Sequence, residues 1–189
     1  MSRFNLRHLG LAAIALLAAG TFSNAQIERL TLEQMVAKTD NSVLGKITAK
    51  KVIRIDHEVD GPELYYTHLT VKGRSLVTGE EHTAIVTFPG GFMDDEHGVW
   101  NSEAPSSEDT KLGNQVVVFF KHCENMGGDL EADALYASHG GLFRTARGKN
   151  GLVVLGRGDG YAIAHNTLVE SLDESITQIH DALKNEQNK

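Results

Sequence analysis

Cysteine is almost missing from this chain: Cys123 is the only one in 189 residues. A single thiol excludes an internal disulfide and any paired-cysteine zinc site, so the fold must be held by its core. Positive charge is also in short supply, with 18 Lys and Arg against 25 Asp and Glu and a formal net charge of −7. Nucleic acids and anionic membrane surfaces both reward clustered cations, and this balance argues against either as a partner. Long apolar runs are confined to the first residues, and no second one follows that could span a bilayer. Internal repeats, low-complexity tracts, a His-Glu-x-x-His helix and a regular strand–helix alternation are likewise missing, and the last of these disfavours a doubly wound α/β fold.

What is there begins with a leader. Arg3 and Arg7 precede an apolar run from Leu9 to Ala19, and Ser23-Asn24-Ala25 has the small-x-small pattern cut by signal peptidase. The expectation is a signal peptide over 1–25 and a single exported β-rich domain over 26–189, periplasmic or secreted and free of a membrane anchor. Thr21 stands where a lipoprotein would need its cysteine. Loss of Arg3 and Arg7 with the leader takes the net charge from −7 to −9. The remaining 164 residues suffice to bury a core without help from a metal.

Thr31 and Gln34 form a capping box that opens a short helix through Met35 and Val36, ended by Asp40-Asn41. Ser42 to Ile55 is rich in β-branched residues and too long for a flat strand, which marks Gly45 as the bulge or bend. Strands are expected at Leu64 to Val77, at His82 to Phe88 and at Val116 to Phe120, the last apolar on both faces and therefore central. Shorter strands follow at Leu135 to Ala137, Leu142 to Thr145, Leu152 to Leu155 after an Asn150-Gly151 turn, and Tyr161 to Ala164. Ser171 and Glu174 read as a second capping box, and Leu172, Ile176, Ile179 and Leu183 recur at helical spacing. The expected fold class is mainly β (α+β): a small antiparallel OB-like barrel or curled sheet with a short N-terminal helix and a C-terminal amphipathic helix.

The run Val43 to Ile47, the pair Tyr66-Thr67, Phe88 to Gly91, Ala104-Pro105, and Gly113 before Val116 to Phe120 together resemble a broad group of uncharacterised exported bacterial proteins. The resemblance implies an OB-like or netrin-like barrel and carries no activity with it. Netrin-like inhibitors of metalloproteinases use an N-terminal cysteine on the protease's metal. Here the expected first residue is Gln26, so that mechanism does not transfer.

Candidate chemistry is sparse. His57 and His97 sit in acidic loops, where imidazole beside carboxylates suits zinc or copper, although no ligand spacing is tight. Asp56-x-Glu58-x-Asp60-Gly61 begins like a calcium loop but has Thr67 at its twelfth position. Cys123 with His139 would be a hydrolase pair lacking an oxyanion hole and an orienting third group. Gly156 to Gly160, which contains Arg157-Gly158-Asp159, is most simply a turn. The segment from Gly90 to Lys111 is long, polar and aromatic, and Trp100 with Asp94, Asp95 and Glu96 makes it the first candidate binding surface. The reading is an exported binding module without catalysis, taking a cell-envelope protein or small ligand. The alternative is a divalent-metal protein using His57 and His97.

Overall fold

The computed structural model describes residues 29–187, so the expected leader and its cleavage point lie outside the described residues. Helix α1 (Leu32–Lys38) opens on the predicted box: the Thr31 hydroxyl accepts the Gln34 N–H at 3.3 Å, and the Gln34 side chain accepts the Thr31 N–H at 3.0 Å. Ten strands follow, then helix α2 (Val169–Gln187). The strands are β1 (Asn41–His57), β2 (Gly61–Ser75), β3 (Glu81–Pro89), β4 (Gly91–Phe92), β5 (Gly98–Val99), β6 (Gln115–Cys123), β7 (Ala132–Leu135), β8 (Leu142–Gly148), β9 (Gly151–Val154) and β10 (Thr167–Leu168).

Five of them close a barrel in the order β1-β2-β3-β7-β6 and back to β1. Every neighbouring pair is antiparallel except β3 with β7, which run parallel at Val86 opposite Asp133. The fold is therefore mainly β, a small closed OB-like barrel with a helix near each end of the chain. The edge of β6 away from β1 is shared: β7 covers its far end, β8 its near end, and a 3-10 turn (Ser138–Gly141) joins the two.

The alternation along β6 explains why its sequence is apolar on both faces. Val116, Val118 and Phe120 point into the barrel with Val43, Ile47 and Phe88. Val117 and Phe119 point outward into a second core, closed by Met35 of α1 and by Leu172 and Ile176 of α2.

Four expectations need correction. The bulge in β1 falls at Thr48, where the register with β2 shifts between Ile47 and Ala49. Gly45 instead faces Gly73, and a Cβ there would lie 2.6 Å from the Lys72 carbonyl oxygen, so small residues are needed for the strands to cross. The strand predicted over Leu135 to Ala137 lies earlier, because Ala137 and Ser138 take φ values of 51° and 52° and end it. Tyr161 to Ala164 forms no strand; it folds back on the loop after β9, with Arg157 N–H donating to the Ile163 carbonyl at 3.0 Å. Ser171 caps nothing, since α2 begins at Val169, a buried residue in the same apolar cluster as Leu172 and Ile176. Packing of that earlier turn wins over the hydroxyl, and Ser171 instead offers its carbonyl to the Ser175 hydroxyl at 2.8 Å.

Candidate functional site

Pro89 ends β3 and two glycines reverse the chain over β2. Gly90 and Gly91 have φ values of 94° and 128°, and a Cβ on Gly91 would overlap the Thr67 hydroxyl. That hydroxyl donates to the Gly90 carbonyl at 2.7 Å, and the Gly90 N–H donates to the Tyr65 carbonyl at 2.7 Å. The reversal launches a short ribbon of β4 and β5, paired at Gly91 with Val99 and Phe92 with Gly98.

Asp94 builds the ribbon's turn. Its carboxylate accepts the N–H groups of Glu96 at 2.9 Å and His97 at 2.8 Å, and it pairs with His97 Nδ1 at 2.8 Å. The Glu96 N–H, followed by the His97 ring, holds the Asp94 carboxyl below the usual carboxylate range. Asp95 and Glu96 are exposed beside it. Of the sequence-predicted site residues, Asp94 and His97 are thus turned inward on each other as a turn scaffold.

The ribbon's flanks are apolar and bare. Phe92, Met93, Val99 and Trp100 are all exposed, Trp100 to 74%. Singly exposed hydrophobes are ordinary, but four on one short ribbon make a patch. Sequence reasoning selected Trp100 and missed Phe92, Met93 and Val99. The pairs Phe92-Met93 and Val99-Trp100 bracket a polar turn, a hairpin signature that was available to be read.

Beyond Trp100 the chain is pinned. Asn101 donates to the Pro89 carbonyl at 3.1 Å, and the Glu103 carbonyl accepts the His139 N–H at 2.9 Å. Asp109 is gripped by Arg144 at 3.0 Å and Arg157 at 2.9 Å. Burial would raise the Asp109 pKa, but Arg157, Ser106 and Arg144 outweigh it and hold the carboxyl below its usual range. Arg157 also donates twice to the Leu142 carbonyl, so the Arg157-Gly158-Asp159 tripeptide has its cation committed to the interior.

Between this pinned return and the barrel lies a groove of about 440 Å³. Phe88, Phe92, Trp100 and Pro105 supply its apolar walls, and among the described residues Lys50 is the one charged residue lining it. The Lys50 ammonium donates to the Thr110 hydroxyl at 3.0 Å, and burial among the walls lowers its pKa although the side chain keeps contact with solvent. A second hollow, of about 400 Å³, lies against Trp100 on the side of Glu63, Leu64 and Tyr66.

His57 belongs to a separate cluster where the β1–β2 turn meets the β6–β7 loop. Its Nδ1 faces the backbone N–H groups of Val59 at 3.3 Å and Asp60 at 3.0 Å, which makes Nδ1 the acceptor. Nε2 is then the protonated nitrogen, facing Asp129 at 3.2 Å. Asp60 in turn accepts the Gly128 N–H at 2.7 Å, and so the two loops are laced together. Hydrogen bonds and ion pairs link His57 and His97 to different partners, and among the described residues no three His, Cys, Asp or Glu side chains are arranged to hold a metal ion.

Cys123 and His139 likewise have separate partners. The thiol donates to the Asn125 carbonyl at 3.3 Å, while the imidazole meets the Glu103 carbonyl at 3.1 Å and the Tyr161 hydroxyl at 3.0 Å. No protein-family model, no curated protein and no solved structure matches this chain.

Proposed function

We propose that the chain is an exported binding module, acting without catalysis in the periplasm or outside the cell, and that it takes its partner at the ribbon and the groove beneath it. The observation that carries this reading is the contrast along one segment. The return segment from Asn101 to Asn114 is tied down by side-chain hydrogen bonds and the Asp109 ion pairs, whereas Phe92, Met93, Val99 and Trp100 are held in place with their apolar surface facing water. A rigid scaffold presenting an apolar patch is what recognition by burial requires.

The test is a photo-crosslinking residue at Val99 in the producing cell, read by intact mass of the purified protein. A discrete added mass, lost when Trp100→Ala is introduced alongside, supports the reading. Absence of an adduct, or an adduct indifferent to Trp100→Ala, overturns it.

Divalent-metal binding is the alternative reading of the two acidic loops, whose histidines His57 and His97 stand in separate clusters. It requires stoichiometric zinc or copper uptake in a calorimetric titration of untagged protein, abolished in a His57→Ala, His97→Ala double variant.

A further inference from the structure

The bulge at Thr48 changes which side chains of β1 face the groove. Before it, Val43 and Ile47 point into the barrel; after it, Lys50 pairs with Leu69 and Val52 with Thr67, so the even-numbered residues take over that face. A lysine is thereby aimed along the inner face toward the barrel rim, beside Phe88, where an alanine would otherwise stand. Its ammonium has a hydroxyl partner, Thr110, and among the described residues no carboxylate within salt-bridge reach.

Lys46, Lys51, Lys72 and Lys121 likewise have no carboxylate within salt-bridge reach among the described residues. What sets Lys50 apart is its place in a mostly apolar groove, while several of the chain's acids are engaged elsewhere. Asp109 is committed to Arg144 and Arg157, Asp56 and Glu63 to Arg54, and Asp94 to the ribbon turn. Among the described residues the groove lining contains no Asp or Glu. Lys50 as a whole is exposed, with its ammonium on the Thr110 hydroxyl and open to an anionic partner entering the groove. Around it stand aromatic walls and the hydroxyl-bearing Ser106 and Ser107, a mostly apolar concavity with a few polar points and a volume suited to a small ligand.

We propose that this groove binds a small amphipathic monocarboxylate, with its apolar or aromatic body against Phe92 and Trp100 and its carboxylate on Lys50 Nζ. A single lysine, with no arginine fork in the lining, matches one negative charge better than a phosphate's two. The inference rests on the binding-module reading and narrows it to a ligand class.

The experiment titrates the protein with 4-phenylbutyrate, 4-phenylbutanol and 4-phenylbutylamine by calorimetry at pH 7. The carboxylate is expected to bind at least about tenfold more tightly than the alcohol, the scale of one hydrogen bond to a charged group, and the amine more weakly than both. Lys50→Met should bring carboxylate and alcohol within about twofold of each other, and Lys50→Arg should retain the preference. Equal binding of acid and alcohol to the wild type, a preference that survives Lys50→Met, or no binding of any probe each overturns the proposal. Equal binding of acid and alcohol that is lost in Trp100→Ala would discard the carboxylate and leave the apolar surface standing. The crosslinking result judges that broader reading by itself.

Discussion

The guanidinium of Arg157 holds the carboxylate of Asp109 at 2.9 Å, tying the end of the long segment after β3 to the loop after β9. Arg144 completes the grip from β8, and the Asp109 side chain is only 12% exposed. That carboxylate joins the Asn101 and Glu103 bonds in holding the groove's outer wall. Asp109→Ala leaves two arginines facing each other with no counter-charge, and should cost about 3 kcal/mol in urea unfolding, as breaking buried ion pairs does. A loss below about 1 kcal/mol would show that the triad is a solvated surface feature.

The same residue sets an acid limit. Its folded-state pKa lies below the unfolded value, so its contribution is fully present above the unfolded pKa of about 3.9 and fades as pH falls through the lower folded value. Stability of the wild type should therefore drop more steeply below about pH 4 than that of Asp109→Asn. Parallel stability–pH curves for the two proteins in that window would contradict this assignment.

Trp100 and Phe88 line the same groove with opposite burial, at 74% and 4% exposed. Trp100→Ala should leave unfolding free energy within about 0.5 kcal/mol of wild type while weakening phenylbutyrate binding. Phe88→Ala should cost about 3–5 kcal/mol because it empties part of the barrel core. Were Trp100→Ala as destabilising as Phe88→Ala, the tryptophan would be a lid on the core and its exposure would have no bearing on recognition.

Carboxylate binding should also depend on pH in a particular direction. Burial lowers the Lys50 pKa, so the cation is lost at a lower pH than for an ordinary lysine. The preference for phenylbutyrate over phenylbutanol should be constant near neutrality and decline before the usual lysine pKa of about 10.4 is reached. Calorimetry from pH 7 to 10 decides the matter, with Lys50→Arg as the variant whose preference should hold throughout.

Glycine contacts give the sharpest structural contrast. Gly73→Ala drives a methyl into the Leu44 backbone, which has no room to retreat, and should abolish stable folding. Gly79, at φ 75° with open space around it, should tolerate alanine at a cost of about 1 kcal/mol. Similar soluble yields and melting temperatures for the two variants would mean that β1 and β2 cross less closely than described.

Local rules made much of this fold readable. The Thr31–Gln34 box depends on four consecutive residues, and the two-faced apolar run of β6 depends on position parity alone, so both appear in the structure as expected. Decisions that depend on a distant partner were illegible. The bulge settled on Thr48 rather than Gly45 because Gly45 was needed opposite Gly73, a partner 28 positions away. Ser171 lost its capping role to the burial of Val169 under the same outer core that receives Met35. Trp100 advertised itself through rarity, while Lys50 looked like one of several surface lysines until the bulge and the pinned return segment gave it a wall on each side.

Closure of the barrel joins Asn41 to Phe120, far apart in the sequence. Strands β1, β2 and β3 are joined by short turns and can pair locally, so the edge of β1 from Asn41 to Lys46 stays unpaired until β6 arrives. Lys46 on that edge is the charge that discourages one unfinished barrel from pairing with another. Formation of β6 is then the event that commits the barrel, and non-local closure of this kind sets the pace of folding.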